Sequence, residues 1–405
     1  MAMLAIALFW VISIHIIASR RARSAAAATL SCVFILNHMV YWGFYSFEMG
    51  WPAFLIWFSL GTEESSEGLS LRDAFLWLGC AFLLYISHVL WFLAGIAWLL
   101  LRGMVFRRPL KEIIIRLAYV APLVVAAWIW YPSIAGSSMA TPPLWGSSPI
   151  ERLSFLWLSD AAIGGIKGPG DLFFFAAALV WLLVSIFQNR SNLKSLIDKE
   201  LLLAAAVSFA FVLFLPDKYM NTIRFSQRWM PPMMIMLLLA VPPPVVRPFL
   251  RQTTALAIVA AFSLTTTAAW LKFEQEELAG LKEALASLPN SPKVLGLDLV
   301  QKSDVINGHP FIQVFAYSQV LKGGALNFSF AEFSPCLVVF KDSSPKPWTG
   351  GLEWFPGRVQ ESDLRYFDYV LINGTEQIHA VSRAQPKLVP VTKEGRWRLY
   401  RVQAP

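Results

Sequence analysis

Long apolar runs separated by short basic or polar loops fill the first two thirds of the chain. Residues 2–18 (AMLAIALFWVISIHIIA) form the first run and lead into Arg20, Arg21 and Arg23. A cleaved signal peptide carries its basic residues before the apolar stretch; here they follow it, so the pattern predicts a span with its N-terminus outside and the arginines in the cytoplasm. Further runs at Ala74–Leu101, Ile113–Tyr131, Leu172–Phe187, Leu201–Leu215, Met230–Val246 and Thr254–Leu271 each read as transmembrane segments. Ala25–Leu60 is also apolar but is interrupted by Asn37, His38, Gly43, Glu48 and Pro52. The whole predicts a polytopic α-helical membrane protein of about nine spans.

Loop charge orients the spans. Basic residues cluster at 102–112, 188–200 and 247–253, which the positive-inside rule places in the cytoplasm. The loops 132–171 and 216–229, and everything after 271, then fall outside. Parity is awkward between Arg20–Arg23 and Arg102–Lys111. Two full spans in Ala25–Leu60 plus one in Ala74–Leu101 would put the two basic clusters on opposite sides. The sequence reading therefore favours one crossing and a half-penetrating segment in Ala25–Leu60, which must line a cavity or be buried in protein.

After residue 271 the texture changes. Gln275–Leu288 and Phe311–Leu321 have helical spacing; Lys293–Leu299, Cys336–Phe340, Tyr366–Ile372 and Lys387–Val391 read as strands, and the alternating Trp397–Val402 suits an edge strand. Strands alternating with helices predict a C-terminal α/β soluble domain, 272–405, behind a transmembrane domain, 1–271. It belongs in the periplasm if the chain sits in a bacterial inner membrane.

Composition sharpens this reading. Hydrophobic residues make up 56% of the 405 and charged ones 15%, against about 25% charged in a soluble domain. From Lys272 on there are 15 Lys+Arg and 14 Asp+Glu, which leaves 19 against 12 in residues 1–271. The net charge of +8 therefore divides into +7 for the membrane part, in its short loops, and +1 for the tail, and is a topology signal, not a nucleic-acid surface. The three cysteines, Cys32, Cys80 and Cys336, have no metal-ligand spacing, so no cofactor is indicated and a divalent metal is without support.

Candidate chemistry gathers in the outer loop Pro216–Trp229, which packs Asp217, Lys218, Arg224 and Arg228 into 12 residues. Positive charge is disfavoured in outer loops, and guanidinium forks match phosphate oxygens. If the loop is helical, Arg224 and Arg228 share one face, and Trp229 fixes the loop at headgroup depth. The alternative is an ion pair between an arginine and Asp217. Among the outer carboxylates, Glu48 and Asp160 have the most apolar flanks and are the candidate catalytic acids or bases. Glu63, Glu64 and Glu67 read as a solvated turn. His38 and His88 read as structural histidines within apolar segments.

The multi-span body, the loop LPD…RFSQRW before a late span, and a tail containing FDYVLI and closing in GRWRLYRV are similar to bacterial membrane proteins of the GT-C glycosyltransferase superfamily, over about residues 25–405. The resemblance implies an enzyme that takes a sugar from a polyprenyl-phosphate carrier at the outer face, with Arg224 or Arg228 holding the carrier phosphate. It also implies an acidic residue in a first large outer loop, for which this sequence has no clear match; the arrangement resembles the distal part of such proteins. Two other classes stay open: a non-catalytic relative supporting another membrane subunit, and a transporter or flippase, whose internal repeats and paired broken helices are not evident. Membrane lipid is the partner common to all three.

Overall fold

The computed structural model describes residues 2–62, 70–135, 141–220, 222–332, 338–341 and 345–403. Two compact units divide the chain, Met1–Leu264 and Thr265–Pro405.

The first unit is helical. In chain order it contains α1 (Ala2–Arg20), α2 (Ala25–Ser31), α3 (His38–Tyr41), α4 (Tyr45–Thr62), α5 (Leu71–Ser87), α6 (Val89–Val105), α7 (Leu110–Ala135), α8 (Phe155–Ala162), α9 (Gly170–Gln188), α10 (Leu193–Leu196), α11 (Lys199–Phe214), α12 (Met230–Ala240) and α13 (Pro248–Lys272), which runs into the second unit. Among the described residues, four helical stretches are long and apolar enough to cross a membrane: Met3–Arg20, Leu110–Pro132, Gly170–Gln188 and Pro248–Glu277. Their outward faces carry bare apolar side chains, such as Trp128, Ile129, Phe173, Leu183 and Leu264, which only a hydrocarbon solvent makes inexpensive. The protein is a helical membrane protein; the remaining helices are shorter or less apolar than these four.

The parity problem has a structural answer different from the one the sequence suggests. Ala25–Leu60 leaves the arginine end of the bundle and comes back to it, where Ser59 and Phe58 meet Arg20 and Arg21. It goes out through α2 and α3 and returns through α4, turning at Gly43, whose φ of +73° suits glycine. Ala74–Leu101 is not one helix either. His88 takes an extended conformation, φ −167° and ψ 123°, and its Nδ1 accepts the backbone N–H of Leu90 at 3.2 Å. A side chain read as a buried structural histidine thus caps the N-terminus of α6 and divides the run into a hairpin. Two out-and-back excursions separate the basic clusters, which consequently meet at one end of the bundle.

They meet on carboxylates. Arg21 forks onto Asp198 at 2.6 and 2.8 Å and reaches Glu200 at 3.1 Å. Glu200 also takes Arg102 Nε at 2.9 Å, with Arg108 at 3.6 Å. Arg102 Nη1 donates to the carbonyl of Gly61 at 2.5 Å, and Arg23 donates to the carbonyls of Leu239, Ala240 and Leu196 at 2.7–3.1 Å. The ends of α1, α4, α6 and α12 and the start of α11 are tied there. The bundle interior is largely aromatic: Trp57 stacks on Trp77 at 3.6 Å between centroids, and the indole N–H groups of Trp10, Trp57, Trp77 and Trp91 each donate to a carbonyl of another helix.

The second unit adds α14 (Leu281–Ala286), β1 (Lys293–Asp298), α15 (Ala316–Lys322), β2 (Ala325–Leu326), β3 (Tyr369–Asn373), α16 (Glu376–Ala384), β4 (Leu388–Pro390) and β5 (Trp397–Val402). The strand order is β2-β1-β3-β5-β4, with β1 parallel to β2 and β3 and β5 antiparallel to β3 and β4. Trp397–Val402 is therefore an interior strand and not the expected edge. Trp397, Arg398, Leu399 and Tyr400 are all buried, so its alternation marks two covered faces, with the Arg398 guanidinium turned outward to Glu376. Of the expected strand Cys336–Phe340, the first two residues lie outside the described residues, and Val338, Val339 and Phe340 are exposed and form no strand; Glu63, Glu64 and Glu67 also lie outside the described residues. Buried His379 bridges this sheet, with Nε2 on the carbonyl of Arg396 and Nδ1 on the Tyr400 hydroxyl, both 3.1 Å. The carbonyl can only accept, so Nε2 carries the proton and Nδ1 accepts from Tyr400.

Two expected outcomes follow from these contacts. Glu200→Gln removes the charge that balances Arg21 and Arg102 in a largely buried knot, and should cost about 3–5 kcal/mol; an unchanged thermal midpoint of the purified protein would contradict it. Burial lowers the pKa of His379, with the hydrogen bond to Arg396 opposing. The unfolded chain then binds the extra proton first, so the contribution of His379 is complete above about pH 6.5 and is lost as pH falls toward the lower folded value. Protection of the β3 and β5 amides against hydrogen exchange should weaken between pH 7.5 and 5.5 in the wild type, and by clearly less in His379→Gln.

Candidate functional site

The end of the bundle opposite the charge knot gathers the turn between α3 and α4, the apex of α5 and α6, α8, the C-terminus of α11 and the loop 216–229. That loop is pinned by Asp217. Its Oδ1 accepts Arg152 Nη2 at 2.9 Å and the Ser226 hydroxyl at 2.8 Å, while Oδ2 accepts the backbone N–H groups of Gly146 and Ser147 at 2.8 and 2.9 Å. Four donors fill a carboxylate. Asp217 thus pairs with Arg152, not with Arg224 or Arg228. Arg152 is fully buried, and its Nη1 also donates to the carbonyls of Val212, Leu213 and Leu215 at 2.9, 3.2 and 2.6 Å. A cation there satisfies the carbonyls left over where α11 ends. Nothing local in the sequence links Arg152 to that helix 60 residues away, so it went unnoticed; the apolar context Ile150–Leu158 was its one visible sign. Lys218 is half-buried and pairs through its backbone with Leu144.

Arg224 and Arg228 do not share a helical face. Arg224 sits at φ +52°, the left-handed region that a non-glycine residue enters only under constraint, and a short 3-10 turn begins only at Gln227. Its guanidinium is partly exposed. Nη1 bonds Asp160 Oδ2 at 3.1 Å and Gln227 Oε1 at 3.0 Å, and Cζ lies 5.9 Å from the centre of the Trp42 ring. Arg228 instead turns inward. It is buried, with Cζ 3.9 Å from the centre of the Phe44 ring and 5.4 Å from that of Phe47, and Nη2 donates to the carbonyl of Ile223 at 3.1 Å. Burial lowers its pKa, opposed by the Glu48 carboxylate.

The two candidate carboxylates separate in the same way. Asp160 is half-exposed beside Arg224. Glu48 is sealed, 2% exposed, and accepts from Asn37 Nδ2 at 3.3 Å, while Asn37 Oδ1 caps α3 by accepting the N–H of Met39 at 2.8 Å. Trp229 is also buried, packed on Phe47, Trp91 and Phe211 at 5.8, 5.0 and 4.9 Å, so it belongs to the aromatic interior of the bundle. On its far side lies an apolar cavity of about 240 Å³ lined by Phe54, Trp91, Trp98, Phe211 and Trp229. The site is thus two-layered: an outer ion pair, Arg224 and Asp160, and an inner layer in which Arg228 and Glu48 are both buried. Among the described residues no group of three or more His, Cys, Asp or Glu side chains is placed to hold a metal ion.

No family model matches the chain, and no curated protein matches it. Among solved structures it is similar to ArnT from Cupriavidus metallidurans in the apo state, with 12% identity over 98% of this chain and 83% of that one and a TM-score of 0.47.

Asp217→Ala should release the loop and strand the buried Arg152 charge, at a cost of about 3–5 kcal/mol. Limited proteolysis should cut between residues 218 and 226 faster in the variant; an unchanged cutting rate would show that Asp217 does not pin the loop.

Proposed function

We propose that the protein is a membrane glycosyltransferase-like protein that acts at the outer face of a bacterial inner membrane on a polyprenyl-phosphate-linked sugar, with its C-terminal domain outside the cytoplasm. The observation that carries this reading is the pairing of a partly exposed arginine with a half-exposed carboxylate, Arg224 with Asp160, at the end of an aromatic array that leads to an apolar cavity. A phosphate on a long hydrocarbon needs both parts: a guanidinium fork for its oxygens and an apolar slot for its chain.

In this reading Arg224 leaves Asp160 for the carrier phosphate. The acceptor hydroxyl attacks the anomeric carbon, the bond from that carbon to the phosphate oxygen breaks, and the electron pair leaves with the phosphate, whose growing charge Arg224 stabilises. Asp160, relieved of its partner, takes the hydroxyl proton. Glu48 and Arg228 form the layer beneath and position the α3–α4 turn. A second reading, a non-catalytic subunit of a membrane assembly, is favoured by the sealed position of Glu48, which leaves Asp160 as the lone carboxylate of the candidate pair open to a substrate.

Arg224→Ala should weaken binding of a polyprenyl-phosphate analogue by about tenfold or more, the worth of one charge-assisted hydrogen bond, with Arg224→Lys intermediate. Asp160→Asn should keep binding and abolish sugar transfer. Equal binding by wild type and Arg224→Ala, both folded, would remove the carrier site. Binding that needs Arg224, with no transfer to any acceptor in membrane extracts, would favour the non-catalytic reading.

A further inference from the structure

Glycine in the middle of a helix costs about 1 kcal/mol relative to alanine, so each one invites the question of what it admits. At Gly50 a Cβ would overlap the Trp91 ring, at Gly103 the Ile113 side chain, and at Gly95 it would crowd Trp57. These three let a neighbouring side chain in. Gly79, in the interior of α5, is different: a Cβ there would meet nothing within 4 Å. It opens onto a groove of about 410 Å³ between α1, α4 and α5, lined by Ile16, Ile56, Leu76 and Leu83 and closed at one end by Arg20 and Ser59. Arg20 Nη1 donates to the Ser59 hydroxyl at 3.3 Å, one residue from the charge knot. Arg72, Leu76, Gly79 and Leu83 fall on one face of α5 by their spacing of three or four, so a second basic side chain stands on this face toward the same end. The site lies at the opposite end of the bundle from Arg224 and Asp160.

We infer that this groove is a binding site for one anionic phospholipid of the leaflet at the basic end, with an acyl chain laid over Gly79 and the headgroup phosphate at Arg20. The chemistry is complementary along its length. The walls are hydrocarbon, the far end is cationic, and the space that a larger residue at position 79 would fill is kept open. An isolated acyl chain would have no use for Arg20, and a free phosphate none for the apolar walls. The bound lipid would fill the seam between α1 and α5, which flank α4, and so act as a structural part of the bundle.

Native mass spectrometry of the purified full chain tests this with three probes: phosphatidylglycerol, phosphatidylcholine of the same acyl chains, and inorganic phosphate. Wild type should retain phosphatidylglycerol about tenfold better than phosphatidylcholine, the worth of one charge-assisted contact, and should not retain inorganic phosphate. Gly79→Leu, which fills the groove, should lose about tenfold in lipid retention, while Gly79→Ala, which strengthens the helix equally but leaves most of the groove open, should retain lipid as wild type does. Arg20→Gln should erase the headgroup preference and keep the neutral binding. Wild-type retention by Gly79→Leu, or no preference between the two lipids, would overturn the site. Retention of inorganic phosphate alone would reduce it to an anion contact and overturn it as well. Arg20→Gln decides by itself if a glycine variant fails to fold, because Arg20 is exposed.

Discussion

Everything in the helical unit hangs on the way a single carboxylate, Glu200, is shared by arginines from two distant parts of the chain, Arg21 on one side and Arg102 and Arg108 on the other. Two guanidinium groups closing on one acid fix the ends of α1 and α6 against the start of α11, and Asp198 completes the balance with a bidentate pair to Arg21. Hydrocarbon contacts between helices are weakly directional, and in a bilayer they gain little over contacts with lipid. Charges that must find their partners are directional. They determine which helix ends coincide, and the helices then reach the other end of the bundle at heights set by their lengths.

What arrives there is built mainly from rings. Phe44 and Phe47 hold the inner guanidinium of Arg228, with Trp91 and Trp229 packed on Phe47, and the outer one of Arg224 lies over Trp42. Rings hold a cation through their quadrupoles without neutralising it. The division of labour between Arg224 and Arg228 has the same origin. One is answered by a carboxylate at the surface and can exchange partners, whereas the other is enclosed and serves the shape of the turn.

The sequence made the class of protein, the apolar segments and the α/β texture of the tail legible, because burial and hydrocarbon exposure are written residue by residue. It also pointed to the loop 216–229 and to Asp160, whose apolar flanks and charge are local facts. It could not show that His88 is a helix cap, because a lone histidine in an apolar run looks alike whether it bonds a neighbouring helix or its own backbone. It offered only nearby arginines as alternative partners for Asp217, because the true partner, Arg152, is 65 residues away and reaches it through the fold. The helical spacing of Arg224 and Arg228 misled for a related reason. Spacing has meaning only inside a helix, and the backbone of Arg224 is left-handed. Trp397–Val402 was mistaken for an edge strand because alternation reports that two faces differ, not that one of them is wet.

The hairpin of α5 and α6 has a further consequence, for the membrane itself. Each of its helices has 17 residues, about 25 Å at 1.5 Å per residue, against a hydrocarbon core about 30 Å thick. The neighbouring stretch at α7 is 23 residues long and matches that core with room to tilt. Around the hairpin the bilayer must thin, or one end of the hairpin must stay submerged. If the basic end is anchored in the headgroups, the submerged end of the hairpin is the one that carries His88 and packs on Phe47 and Trp229. A group reaching the protein there would lie below the plane of the neighbouring headgroups, in a dimple where water is scarce and a guanidinium's pull on an anion is correspondingly strong.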